Sequence, residues 1–188
     1  RRVKAWIDLA EENGWGQVYV YAIDEASDET LLRERAAFAA VHQAGGKVFV
    51  ACGTQSFWKH VGDLLDLPVL QHPAPTALLL EKIRVAGHKL WNYGTPQVHV
   101  EQPETYRRNY GFGLWKAGFD GSATYAYQHT FGKNIWNDFD SPGPHRDHVF
   151  AYPTVDGVID TIQWEGFREG ADDVRYLTTL LRAIEKAR

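Results

Sequence analysis

Cysteine is the scarcest informative residue here: one in 188 excludes an internal disulfide. Cys52 ends the apolar run Lys47-Val-Phe-Val-Ala-Cys52, where a small buried residue is expected rather than a nucleophile, and one thiol assigns no redox compartment. Charge of one sign is also lacking. Lys plus Arg total 20 against 24 Asp plus Glu, and a net charge of −4 gives no electrostatic case for nucleic acid or an anionic membrane. No apolar run approaches the roughly 18 residues of a membrane span, and the opening Arg-Arg-Val-Lys-Ala-Trp lacks the apolar centre of a secretory signal. Low-complexity tracts and short-period repeats are absent. No serine has the glycine-flanked turn of a hydrolase nucleophile; Ser56, Ser122 and Ser141 all lack it. Eight histidines raise the question of a metal, but His145-Arg-Asp-His148 follows Ser141-Pro-Gly-Pro144 without a cysteine or third histidine close by, so exposed loop histidines are expected. Neither a metal nor a cofactor is expected.

What is present is an alternation. A composition that is 44% hydrophobic and 23% charged is that of an ordinary globular chain, and the length suffices to bury a sizeable core. Strand-like runs recur at 17–23, 47–52, 67–72, 88–93 and 121–127, separated mostly by helical patterns. Residues 3–12 read as an amphipathic helix with Val3, Trp6, Ile7 and Ala10 on one face. After the first strand, Ser27 is a good N-cap, Asp28 and Glu29 suit the positive end of a helix, and Gly45-Gly46 supplies its stop. Shorter helices are expected over 55–66 and 76–86, then a loop over 95–103. A helix over 104–119 is weakened by Gly111 and Gly113, which close backbone packing would explain. Residues 128–157 carry no sustained period and read as a long functional loop. A final helix is expected behind Asp172-Asp173, with Val174, Leu177, Leu181 and Ile184 at helical spacing.

Five strands alternating with helices predict a parallel α/β sheet. Because a complete (β/α)8 TIM-type barrel takes about 250 residues, the expectation is a single domain over 1–188 that forms the C-terminal part of one, covering about strands 4 to 8, with the N-terminal part of the same parent chain missing. Without those strands an unclosed sheet would expose edges. A doubly wound sheet is the rival, but Ala-Ile-Asp-Glu-Ala-Ser stands where its glycine-rich phosphate loop would follow the first strand.

The adjacent acids Asp24-Glu25 lie where Val18-Tyr-Val-Tyr-Ala-Ile23 stops and the Ser27 helix begins. In a barrel that edge carries the chemistry. Neighbours on a strand point to opposite faces, so the two can share a pocket only if the strand ends at or just before them. If they do, an ionised Asp24 disfavours ionisation of Glu25, as a general acid requires. The alternative is that one or both simply cap the following helix.

Several motifs, in order, resemble the C-terminal part of glycoside hydrolase family 123 and related glycosidase-like bacterial domains. They are Tyr21-Ala-Ile-Asp-Glu25, Leu90-Trp-Asn-Tyr93, Leu114-Trp-Lys-Ala-Gly-Phe-Asp-Gly121, Ala151-Tyr-Pro-Thr154 and Gln163-Trp-Glu-Gly-Phe-Arg-Glu-Gly-Ala-Asp-Asp173. The resemblance implies a retaining exo-glycosidase that removes terminal β-linked N-acetylgalactosamine by substrate-assisted catalysis. It implies Asp24 as the group that orients the 2-acetamido substituent and Glu25 as the acid/base. A conventional retaining enzyme would need a nucleophile at the seventh barrel strand, but that run ends in Asn92-Tyr93-Gly94, with no carboxylate until Glu101.

Aromatic residues would supply the sugar-binding half of such a site. Trp91 and Tyr93 share strand parity, as do Tyr125, Tyr127 and His129. Tyr93, Tyr127 and His129, nearest the strand ends, are candidates for substrate contact, while Trp91 and Tyr125 read as packing residues. The charged stretch from Arg168 to Arg175 reads as an ion-pair and capping network at the mouth of the last helix. In the related domains this segment brings a loop towards the sugar, so Trp164 and Glu165 are also candidates. Two alternatives stay open: a conventional glycosidase using Glu25 and Glu165, and a non-catalytic carbohydrate-binding barrel domain. Carbohydrate is the expected partner, with galacto against gluco configuration undecided.

Overall fold

The structure is a computed structural model that describes residues 2–53, 55–71, 74–99 and 101–188. Residue 72, the end of the third predicted strand run, and residue 100, within the predicted loop 95–103, lie outside the described residues. Two compact units divide the chain: residues 1–92 with 119–121, and residues 93–118 with 122–188.

The first unit holds most of the sheet. Helix α1 (Arg2–Glu12) precedes β1 (Tyr19–Tyr21), α2 (Asp28–Gln43), β2 (Lys47–Cys52), α3 (Phe57–Val61), β3 (Leu67–Leu70), α4 (Ala77–Val85) and β4 (Trp91–Tyr93), and β5 (Gly121–Ala123) completes the sheet order β1-β2-β3-β4-β5. Strands β1 to β4 pair in parallel, with Val20 beside Val48, Ala51 beside Val69 and Leu70 beside Asn92. Sequential order with helical crossovers is what right-handed βα units produce. The core beneath these crossovers is Leu31 and Phe38 from α2, Val48 and Val50 from β2, Phe57 and Val61 from α3, and Ile83 from α4, each 1% exposed or less. Buried on both faces, parallel strands read as apolar runs, which is why β2 and β3 were visible in the sequence.

Local chemistry sets the boundaries. Ser27 does occupy the N-cap of α2 in extended conformation, with Asp28 and Glu29 in the first turn, although its side chain makes no capping bond. Thr76 caps α4 by accepting from Leu79 N at 3.2 Å. Asp66 ties β2 to the loop before β3, accepting from Val48 N and facing His42, both at 2.8 Å. Trp6, expected on the buried face of α1, is instead 62% exposed; Ala10 alone on that helix is buried.

The second unit is built on a helix pair. Helix α5 (Pro103–Arg108) runs through a wide π-type turn (Asn109–Gly113) into α6 (Leu114–Ala117), and α5 and that turn pack on the 25-residue α7 (Ile162–Lys186). The predicted close packing is present: a Cβ on Gly111 would fall 2.8 Å from Gly170 O, and one on Gly166 only 2.1 Å from Pro103 O. Arg107 closes the pair with a bidentate bond to Asp173 at 2.7 and 2.8 Å.

Three expectations need correction in this unit. The last helix begins at Ile162, capped by Thr161, ten residues before Asp172-Asp173, so the Arg168–Arg175 charges line its middle and Trp164-Glu165 its first turn rather than a loop. Its Leu181 and Ile184 remain 39% and 42% exposed. Residues 128–157 are not one long loop, because β6 (Gln128–His129) pairs antiparallel with β7 (His148–Val149), and β8 (Ala151–Thr154) with β9 (Gly157–Asp160). Strand β5 ends at Ala123, so shared strand parity does not extend to Tyr125, Tyr127 and His129.

Candidate active site

The acid pair sits at the C-terminal end of β1, at the edge where the strand-to-helix connections leave the sheet. Strand pairing ends at Tyr21 beside Phe49, and the chain touches the sheet again only at Ala26, through a single parallel bridge to Cys52. Between them Asp24 and Glu25 form an exposed bend. Strand alternation therefore does not govern where the two carboxylates point, which removes the geometric objection to a shared pocket. The Tyr21 hydroxyl donates to Asp24, and the Tyr21 ring stacks on Phe49 with centroids 4.7 Å apart.

Glu25 has φ of 42° and is the only non-glycine with a positive φ among the described residues. A residue with a Cβ in that region pays roughly 1–2 kcal/mol, and such strain concentrates at functional sites. The first-turn carboxylates of α2 are those of Asp28 and Glu29, and Asp28 accepts from Ser56 Oγ with His60 Nε2 at 3.8 Å.

At the end of β4, Asn92 is 3% exposed and donates to Leu70 O at 3.0 Å, while its Oδ1 has no partner among the described residues. Trp91 packs as expected, its indole so close over Gly121 that a Cβ there would fall 2.5 Å from Nε1. Cys52 is buried, and burial pushes its thiol up to about 12, which removes it as a nucleophile.

In the second unit the predicted aromatic residues separate into two groups. Tyr127, 50% exposed, meets Trp164 edge to face at 6.2 Å, and Trp164 stacks on Phe167 at 5.8 Å. His129 lies against Tyr125 at 5.3 Å and Phe131 at 4.7 Å. Tyr93 ends β4 half-buried, and Glu165 is engaged by Arg168 at 2.6 Å. Tyr125 is not a buried packing residue, since it is 45% exposed.

The sequence matches the glycoside hydrolase 123 catalytic domain over residues 3–180. The chain belongs to that family. Membership puts the family 123 chain among the glycoside hydrolases, as the ordered motifs implied. No curated protein matches it. Among solved structures it is similar to a truncated form of 3-deoxy-D-arabino-heptulosonate 7-phosphate synthase from Thermotoga maritima, at 15% identity and a TM-score of 0.37, covering 70% of this chain and 48% of that one. The chain thus spans about half the length of that structure, and a likeness so distant bears on nothing further.

Sequence reasoning missed the imidazole cluster of the family 123 chain. Of the histidines read as exposed loop residues, His145 is exposed, but His148 is 7% exposed on β7, with Nδ1 3.1 Å from Val98 O and its ring 5.2 Å from His99. Burial lowers the pKa of both, and positive neighbours lower it further: Arg146 and His145 at His99, and His99 at His148. No group of three or more His, Cys, Asp or Glu able to hold a metal occurs among the described residues. The only sequence signal for this cluster was the alternation of His148 with Phe150, too short to stand out.

Proposed function

We propose that this family 123 chain is a retaining exo-glycosidase of terminal β-linked 2-acetamido sugars, β-N-acetylgalactosaminidase-like, working by substrate-assisted catalysis at Asp24 and Glu25. The observation that carries the reading is the strained bend at the end of β1, where Glu25 holds a positive φ beside an Asp24 already oriented by Tyr21. The fold reading that goes with it is a (β/α)8 barrel of which residues 1–188 supply about strands 4 to 8 as one catalytic domain. Five strands in sequential order support it.

In the first step the carbonyl oxygen of the sugar's own acetamido group attacks the anomeric carbon from the face opposite the leaving group. The C–O bond to the aglycone breaks, and Glu25 gives its proton to the departing oxygen. A bicyclic oxazolinium ion forms, its positive charge shared between nitrogen and oxygen. The Asp24 carboxylate, steadied by the Tyr21 hydroxyl, orients the N–H before attack and stabilises the charge after it. In the second step Glu25, now ionised, takes a proton from water as water attacks the same carbon, and the bond from that carbon to the former acetamido oxygen breaks, which restores the acetamido group. Two inversions give net retention without a protein nucleophile. Tyr93, Tyr127, His129 and Trp164 are proposed to contact the sugar, on the strength of their partly exposed rings. The ion pair of Glu165 with Arg168 weakens its case as a nucleophile or a sugar ligand.

The test is a leaving-group series on aryl β-N-acetylgalactosaminides. Glu25→Gln should lower turnover by about 10²–10⁴-fold on poor leaving groups, and by much less in the first step on nitrophenyl glycosides that need no proton. A uniform loss across the series, or none, would remove Glu25 from the acid's role.

A further inference from the structure

The segment from Phe131 to Asp147 lacks helix and strand, yet its backbone is held almost throughout by its own side chains. Asp140 Oδ2 accepts from the N–H groups of Lys133 and Asn134, at 3.2 and 3.0 Å. Asn134 accepts from Trp136 N and Asn137 from Phe139 N, at 3.0 and 3.2 Å. Asp147 accepts from Phe131 N at 2.8 Å, and Asp138 from Asp147 N at 2.7 Å. Gly132 is pressed so tightly on Asp140 that a Cβ there would fall 1.6 Å from Oδ1. Arg146 clamps Asp138 and reaches Glu101 at 3.3 Å.

A loop fixed by these polar bonds does not need its large apolar rings for stability, yet it holds two of them out. Trp136 is 51% exposed and Phe139 88%. The Trp136 ring stacks on Tyr152 of β8, with centroids 4.8 Å apart and planes 20° from parallel. One indole face is therefore covered and its plane fixed, which leaves the other face to solvent. Beside it the Tyr152 hydroxyl titrates above its usual range, through burial first and then the nearby carboxylates of Asp138 and Glu101. A flat, oriented apolar face rimmed by hydrogen-bonding groups matches a pyranose, which has a C–H face and hydroxyls around its edge. A protein partner would want the wider, drier apolar patch of an interface centre.

The geometry points to a carbohydrate-binding platform at Trp136 and Tyr152, which holds a pyranose ring of a glycan by stacking on the open indole face. The occupant is neutral carbohydrate because the face itself carries no charge, while Arg146 balances only one of the two charges of Asp138 and Glu101, and the remaining negative charge disfavours an anionic glycan. The choice of carbohydrate rests on the glycosidase reading of the chain, but the platform needs no role for Asp24 or Glu25. It predicts that this protein binds oligosaccharides by more than the sugar it cleaves.

The test measures binding without turnover. The full-length protein carrying Glu25→Gln is titrated with N-acetylchitotetraose and with a β-linked tetrasaccharide ending in N-acetylgalactosamine, with and without Trp136→Ala. Trp136→Ala should weaken the better of the two ligands by about tenfold or more, which corresponds to 1.4 kcal/mol. Trp136→Phe should restore part of the affinity, and Gly132→Ala, which disturbs the loop without touching the ring, should weaken it as well. Val155→Ala, at a residue 99% exposed, is the control and should change nothing. Unchanged affinity on Trp136→Ala in a protein with unaltered melting temperature overturns the platform, as does failure of both tetrasaccharides to bind. A Trp136→Ala variant that changes sedimentation instead of glycan affinity makes the face a protein contact and overturns it too. Because no hydrolysis is measured, failure of the acetamido mechanism leaves this result standing, and the reverse also holds.

Discussion

Glycine and alanine should exchange their usual order of stability at position 25. At an ordinary site glycine is less stable than alanine by about 0.5–1 kcal/mol, because the unfolded chain has more conformations to lose. At φ of 42° a Cβ costs roughly 1–2 kcal/mol in the folded state, a penalty that glycine escapes. The difference leaves the Glu25→Gly variant more stable than Glu25→Ala by about 0.5–1 kcal/mol. In a chain of this size 1 kcal/mol moves the melting temperature by about 2–4 °C, so Glu25→Gly should melt about 1–4 °C above Glu25→Ala. Thermal and urea melts of both variants, with far-UV spectra to check the fold, decide the matter. If Glu25→Ala melts at the same temperature or higher, the bend carries no strain, and the argument that a functional constraint holds Glu25 there loses its premise. Both variants should be inactive, so the comparison also asks whether stability is sacrificed for a reactive geometry.

The helix pair gives the same order of glycine over alanine for a different reason. Alanine in mid-helix is normally favoured over glycine by about 1 kcal/mol, but Gly166→Ala drives a Cβ to 2.1 Å from Pro103 O and should be net destabilising by about 1–3 kcal/mol in urea melts. A stabilised Gly166→Ala variant would mean the helices can part without loss. The His99 and His148 pair sets a pH dependence. Their folded pKa values lie below the ordinary 6.5, so the unfolded chain binds more protons just below that value; their stabilising contribution is fully present above it and is lost as pH falls through the folded values. Melting temperature should therefore fall on acidification from pH 7 towards 5, and His148→Phe should flatten that slope; an unchanged slope contradicts the assignment. Cys52, with its thiol pushed up to about 12, should resist thiol reagents at pH 8 in the native protein and react at once in denaturant, whereas rapid native labelling would place it at the surface.

The sheet was legible because burial on both faces makes parallel strands apolar throughout, as Val48, Val50 and Leu70 show, and α2 was legible because its cap and first-turn acids are local signals. The start of α7 was not. Gly166 and Gly170 weaken its helical pattern, and they are there because the α5 backbone and the adjoining turn lie against them, a reason visible only in three dimensions. The antiparallel pairs over 128–160 were missed because their strands have two to four residues, shorter than any useful period. Asp156-Gly157, with Val155 before it and Val158 after, was the available hairpin signal. The position of the acid pair at the end of a strand followed from the sequence, but the left-handed backbone of Glu25 did not, since nothing in Ile-Asp-Glu-Ala-Ser requires it. Likewise the exposure of His145 could be read and the burial of His148 could not, because the partners of His148 at Val98 and His99 lie about fifty residues away.

The central claim is that the substrate supplies the nucleophile, and its most direct test is the ratio of kcat/KM for an aryl β-N-acetylgalactosaminide to that for the matching 2-hydroxy galactoside, measured on the full-length protein and on its Asp24→Asn variant. The account predicts turnover confined to the acetamido sugar and largely lost in the variant; comparable turnover of the two glycosides would contradict it.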